Sequence, residues 1–122
     1  PQDERRSSYA KKLERDSGRI DWGKPAPLIH NQVRAFYPWP SAYTFFRGKR
    51  LKILETRQTE ISSEGNKPGT LVPIESQKSL HVKTQTEDLE LLRVQLEGRR
   101  EMSAFEFAIG QRIQKLERFD SV

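Results

Sequence analysis

The 122-residue chain contains no cysteine, which excludes disulfides and thiolate metal sites. That absence leans only slightly toward a reducing compartment. There is no long apolar run, so these residues hold neither a transmembrane helix nor a secretory signal. There is no Gly-x-Gly-x-x-Gly and no Walker-type loop to cradle a nucleotide phosphate. The two histidines, His30 and His81, fall on different stretches without a neighbour at metal-ligand spacing, and both read as surface or rim residues. The adjacent carboxylates Glu87 and Asp88 sit in a turn and read as solvated. No catalytic residue, metal ligand or cofactor-binding residue is therefore assigned, and the pattern argues against a free-standing enzyme. The first residue is Pro1 rather than Met, so the chain reads as a fragment or processed piece.

What is present is charge. Apolar residues make up only 34% of the chain and charged residues 32%, which fits one small core with solvated ends. The net charge of +5 favours an anionic partner, and clustering of the positive residues puts nucleic acid ahead of membrane or acidic protein. Residues 1–19 hold six Lys or Arg but only Tyr9 and Leu13 as sizeable apolar side chains, so they read as a basic linker.

The next stretch organises the rest. In Arg34-Ala-Phe-Tyr-Pro-Trp-Pro-Ser-Ala-Tyr43, Pro38 and Pro40 lack backbone donors and push the residue before each toward extended backbone. A helix arriving from the N-terminal side must stop near Tyr37, and Trp39 and Phe36 are expected to pin the corner to the core. Pro25 or Pro27 suits a first helical turn, and Leu28, Ile29, Val33 and Phe36 share a face, which predicts an amphipathic helix over residues 25–36.

Beyond the corner the pattern is mainly β. Residues 42–46 and 50–56 flank Arg47-Gly48, a tight hairpin turn. Tyr43 and Phe45, like Phe36 and Trp39, are assigned to the core, and Tyr37 is left open. Residues 62–69 form a turn-rich loop, residues 70–74 a short strand with Pro73 at an edge or bulge, and Leu80, Val82 and Thr84 alternate with His81 and Lys83. In the last strand, 89–96, the apolar phase slips from Leu89 and Leu91 to Leu92, Val94 and Leu96, as a β-bulge would make it. Five short strands with such a bulge predict a small barrel. Ser103 with Glu106 forms a capping box for a helix over 104–109, which Gly110 ends; residues 111–122 read as a charged C-terminal tail.

Several of these segments carry a resemblance. Ile20-Asp-Trp22, His30-Asn31, Arg34-Ala-Phe36, Pro38-Trp-Pro40, Lys49-Arg-Leu-Lys-Ile53, Pro68-Gly-Thr70 and Met102-Ser-Ala104, in this order from about Tyr9 to Gly110, resemble the carboxy-terminal domain of the bacterial methionyl-tRNA formyltransferase family. Tyr37 stands where that family commonly has asparagine, and Ser41 where it commonly has glycine. The resemblance implies an OB-like Greek-key β-barrel over residues 20–110 with one helix before and one after. It implies a cytoplasmic parent enzyme in translation initiation that moves a formyl group from 10-formyltetrahydrofolate to methionyl initiator tRNA. Its catalytic residues and folate pocket would lie on an amino-terminal catalytic domain, the second partner besides the tRNA. The present chain alone would be inactive, and no membrane or metal is implied.

The resemblance places Lys11 and Lys12 in the interdomain linker and Arg34 in a matching motif. Clustering alone adds Arg15, Arg47, Lys49, Arg50, Lys52, Arg93, Arg99 and Arg100 as expected tRNA contacts. Two other readings compete. One is the terminal module of a related formyltransferase acting on folate or a sugar nucleotide. The other is a structural barrel that touches no RNA, in which Arg47, Lys49, Arg50 and Arg93 would be paired with carboxylates. Generic single-strand binding is weaker, because outward stacking aromatics are not evident from the pattern.

Overall fold

A computed structural model describes residues 18–63, 65–114 and 116–119. The elements in order are helix α1 (Ala26–Phe36), strands β1 (Ala42–Phe46), β2 (Lys49–Gln58) and β3 (Leu71–Ile74), a 3₁₀ turn (Glu75–Gln77), strands β4 (Ser79–Val82), β5 (Leu89–Leu96) and β6 (Glu101–Ser103), and helix α2 (Ala104–Gly110).

Proline sets both ends of α1. Pro25 caps it in extended conformation, and Pro27 occupies the first turn, where no intrahelical donor is lost. The Thr86 hydroxyl accepts from the Ala26 amide (2.9 Å), satisfying one orphan N–H. Tyr37 turns extended (ψ 139°) because Pro38 follows. The buried stripe is Ala26, Ile29 and Val33. Leu28 lies about 100° round the helix from Ile29 and is 56% exposed, so the expected apolar face is displaced by one position.

The strands form one antiparallel sheet in the order β1-β2-β5-β4-β3, with β6 pairing β5 beyond the end of β4. Among the described residues the sheet has six strands, not five, and it is not closed into a barrel; the architecture is mainly β and OB-like. β6 escaped the sequence reading because three residues show no usable alternation. The β1–β2 turn puts Arg47 (φ 50°) and Gly48 (φ 82°) in the left-handed region, as a two-residue hairpin needs. The bulge is present and double. Ile53 pairs Val94, Glu55 pairs Arg93 and Thr56 pairs Leu91, so Leu54 is extra in β2 and Leu92 is extra in β5. The second insertion restores the register. The slip lets β5 bury Leu89 and Leu91 before it and Val94 and Leu96 after it on one core.

Both outer edges of the sheet are covered by residues near the ends of the chain. Along β1, the Tyr43 amide donates to the Gly18 carbonyl (2.7 Å) and the Ile20 amide to the Tyr43 carbonyl (2.8 Å). Along β3, the Leu71 amide donates to the Glu117 carbonyl (2.7 Å) and the Phe119 amide to the Gly69 carbonyl (2.9 Å). Residues 111–122 were expected as a tail, yet Phe119 within that span is 2% exposed and belongs to the core. It stacks on Trp22 (centroids 5.4 Å, planes 23° apart), and Phe46 meets Phe107 edge-on at 4.9 Å.

The proline corner differs from its expected packing. Trp39 is 82% exposed and Tyr37 43%, while Phe36 is half-buried, so Trp39 does not pin the corner to the core. Ser41 holds the corner instead: its amide donates to the Phe36 carbonyl (2.9 Å) and its hydroxyl to the Pro38 carbonyl (2.9 Å). Its φ of 76° is the left-handed conformation that favours glycine, the residue common here in the resembling family.

Candidate nucleic-acid interface

The β1–β2 hairpin presents a charged and aromatic outer face. The two-residue turn aligns Phe45 with Arg50, Thr44 with Leu51, Tyr43 with Lys52 and Ala42 with Ile53. Leu51 and Ile53 point to the core, so Tyr43, Phe45, Arg50 and Lys52 share the opposite face. Tyr43 and Phe45 are half-buried there rather than in the core, which corrects their expected placement. The Arg50 guanidinium lies 4.3 Å from the Tyr43 ring centroid and that of Arg19 4.9 Å from the Phe45 centroid. Each is a cation–π contact across neighbouring backbone. The two rings meet edge-on at 5.8 Å.

Tertiary pairing brings a second turn to the same end of the sheet. Leu51 pairs Leu96, and the Glu97 amide donates to the Arg50 carbonyl (2.9 Å). A Glu97 carboxylate oxygen in turn accepts from the Arg50 amide (2.5 Å). The turn that follows β5 carries Arg99 and Arg100, both exposed, at the rim of an open cavity of about 390 Å³ shared with Glu106 and Phe107. Lys49, Arg50, Lys52, Arg99 and Arg100 thus lie toward the same end of the sheet, and none forms an ion pair with a described carboxylate.

Two expected contacts are tied up inside the fold. Arg47 grips Glu117 with two hydrogen bonds (2.6 and 2.9 Å) and covers the Phe46 ring at 4.6 Å. The Arg47 hydrogen bond holds the Glu117 carboxyl below its usual range, and the same bond raises Arg47. Arg93 donates to Glu55 (3.0 Å), Glu101 (2.7 Å) and the Tyr37 hydroxyl (3.1 Å), and the Tyr37 bond leads the causes that raise its pKa. Arg34 lies exposed in the last turn of α1, without a described contact to the hairpin. Lys11, Lys12 and Arg15 lie outside the described residues. Arg19, Tyr43 and Phe45 are members of this surface that the sequence reading did not select.

The histidines also differ from expectation. His30 is half-buried, with Nδ1 2.7 Å from the Thr56 hydroxyl. His81 is 2% exposed, pairs across the ladder with Glu90, and has no hydrogen-bond partner on either ring nitrogen. Burial pushes its pKa below the ordinary value; Glu90 and Asp88 oppose that and Arg57 adds to it. The unfolded chain therefore binds this proton more readily than the folded one. Its contribution favours folding most above the unfolded-state value of about 6.5, and stability falls as pH drops through that value toward the folded one. His30, also lowered by burial, acts in the same sense. A thermal midpoint a few degrees lower at acidic than at slightly alkaline pH is expected, and His81→Leu should flatten that difference. An unchanged pH profile in the variant would remove His81 as its source. Among the described residues no group of three His, Cys, Asp or Glu could hold a metal ion.

Comparison with known proteins places the chain. The family model described as formyl transferase, C-terminal domain, matches residues 12–112. A methionyl-tRNA formyltransferase of Solibacter usitatus is 40% identical over 117 residues, covering 96% of this chain and 36% of that protein. One from Thermodesulfovibrio yellowstonii is 41% identical over 106 residues, covering 87% and 33%. The chain thus spans about a third of the length of these relatives. Among solved structures, HypX from Aquifex aeolicus has the same fold, with a TM-score of 0.64 at 14% identity over 83% of this chain and 18% of its own. HypX in complex with tetrahydrofolic acid gives 0.62 at 13%, covering 84% and 20%.

Proposed function

Because the chain belongs to the formyl transferase C-terminal domain family, we propose that it is the RNA-holding domain of a methionyl-tRNA formyltransferase. The observation that carries this reading is the placement of Lys49, Arg50, Lys52, Arg99 and Arg100, without ion-pair partners among the described residues, toward one end of the sheet. Such a surface suits the phosphate backbone of initiator tRNA, where closely spaced cations displace condensed counterions. Tyr43 beside Arg50 and Phe45 beside Arg19 add rings that a splayed base can use.

In the parent, formyl transfer from 10-formyltetrahydrofolate to the methionyl amino group would be carried out by a separate amino-terminal domain. The present chain supplies affinity and orientation, and holding the aminoacylated end near the reacting centre is itself a rate effect. Lys11, Lys12 and Arg15 extend the contact along the linker in this reading, with Arg34 on the helix. Arg47 and Arg93 act through the fold rather than on RNA, since their guanidinium groups are already held by carboxylates.

The test is a titration of the chain against initiator tRNA, elongator methionine tRNA and duplex DNA at several salt concentrations. Weak binding to all three with a steep salt slope is expected of a phosphate-tracking module. Marked preference for initiator tRNA would mean that the domain reads tRNA shape. No binding at low salt would favour the second reading, a structural module without RNA contact. That reading draws its support from the internal neutralisation of Arg47 and Arg93.

A further inference from the structure

The proline corner is unexplained by either the core or the cation-rich end. Isolated exposed apolar side chains are ordinary, but three features set Trp39 apart. It is 82% exposed, the most of any large hydrophobic described. Pro38 and Pro40 restrict the backbone on both sides, and the two hydrogen bonds of Ser41 tie the corner to the end of α1. So stiff a backbone leaves little main-chain freedom to lose when the corner is covered. Finally, Trp39 lies two positions along the chain from exposed Tyr37, whose ring centroid is 5.5 Å from the Arg93 guanidinium and whose hydroxyl Arg93 bonds. Tryptophan, tyrosine and arginine are the residue types that dominate protein–protein hot spots.

The charge around the corner separates a protein partner from RNA. Arg93, the cation bonded to Tyr37, is held by both Glu55 and Glu101, one guanidinium against two carboxylates, so a phosphate approaching this cluster meets net negative charge rather than a free cation. The size of the relatives supplies the occupant. About two-thirds of each lies beyond the match to this chain, which is room for a second domain on the same polypeptide. A tethered partner needs only a small contact, because the linker raises its effective concentration.

We infer that Trp39, flanked by Tyr37 and the Arg93 cluster, is the anchor by which this domain docks into an apolar pocket of the formyl-transferring domain of its own polypeptide. The inference rests on the proposed presence of that domain in the parent, and not on the RNA-binding role.

The experiment uses the full-length parent labelled with 5-fluorotryptophan, with the Trp39 resonance assigned by its loss in Trp39→Phe. The readout is the shift of that resonance between H₂O and D₂O in the RNA-free enzyme. Docking predicts less than half the shift of the free amino acid. A full solvent shift would overturn the inference, and so would shielding that arises only when initiator tRNA is added, which would move Trp39 to the RNA surface. As a second measurement, Trp39→Ala is expected to speed proteolytic cleavage between the domains about tenfold or more, as loss of a hot spot implies. Trp39→Phe should retain most of the protection. An unchanged rate in Trp39→Ala would overturn the inference. An unperturbed Trp22 resonance shows that the domain is still folded. Formyl-transfer and tRNA-binding assays on the same samples report the proposed function separately, so either can fail without the other.

Discussion

Reversal of both Arg50 and Lys52 to glutamate is expected to weaken initiator tRNA binding by the full-length enzyme about 100-fold at roughly 0.1 M salt, and to lower the log–log salt slope by about 2. Two lost phosphate contacts account for the slope, since each displaces close to one counterion, and repulsion by the new carboxylates adds to the affinity loss. The double variant should still fold. Both side chains lie on the outer phase of β2, while Leu51 and Ile53 on the inner phase carry its packing. The folded state gives up only the Arg50 contact with the Tyr43 ring, worth about 0.5–1 kcal/mol at an exposed site. Arg93→Ala makes an informative comparison. Its guanidinium is held by Glu55, Glu101 and Tyr37, so this variant should change stability more than the salt slope. Equal slopes for the wild type and the Arg50/Lys52 variant would remove the hairpin from the binding surface.

The largest stability effect is expected from Trp22→Ala, at about 3–5 kcal/mol. Trp22 is 1% exposed, stacks on Phe119 at 5.4 Å and donates its indole N–H to the Thr44 hydroxyl at 3.0 Å. Truncation leaves a large cavity, removes the ring partner of Phe119 and takes the indole donor from the buried Thr44 hydroxyl on β1. For a domain of ordinary stability, about 5–15 kcal/mol, that is a large share of the total. Urea unfolding followed by far-ultraviolet circular dichroism measures it. The effect should spread to β3, because Phe119 belongs to the segment that pairs with it; hydrogen exchange at the Leu71 and Phe119 amides should accelerate in step with the global loss. A cost below about 1 kcal/mol, well under the range for such truncations, would show that the stack contributes little to closing this side of the core.

Much of the candidate surface is legible in the sequence alone. The Arg47-Gly48 turn joined two apolar stretches, and the basic residues around it formed a visible cluster. Even the outward placement of Tyr43 and Phe45 was available in principle. A two-residue turn dictates that Thr44 faces Leu51 and Ala42 faces Ile53, so once those leucine and isoleucine residues point inward the intervening rings must point out. The run from Ala42 to Phe46 concealed this alternation, because its outward members are aromatic while the hydroxyl-bearing Thr44 is the one turned inward.

The sequence by itself determined what depends on neighbours along the chain. Prolines at positions 25, 27 and 38 bounded α1, Gly48 permitted the hairpin, the slipped phase of β5 announced its bulge, and Ser103 capped α2, its hydroxyl accepting from the Glu106 amide. Backbone angles and side-chain periodicity are local properties, so local residues specify them. Only the tertiary structure decided which charges remain free and which rings are covered. Arg47 finds Glu117 across 70 positions and Arg93 finds Glu55 across 38, while the side-chain charges of Lys49 and Arg50 form no ion pair with a described carboxylate. Phe119 is drawn into the core by Trp22 from the far end of the chain, and Trp39 is left in solvent although it is the larger kind of ring. Coulombic pairing and burial depend on proximity in space, and a residue's composition, spacing and period carry no record of what the folded chain will bring beside it.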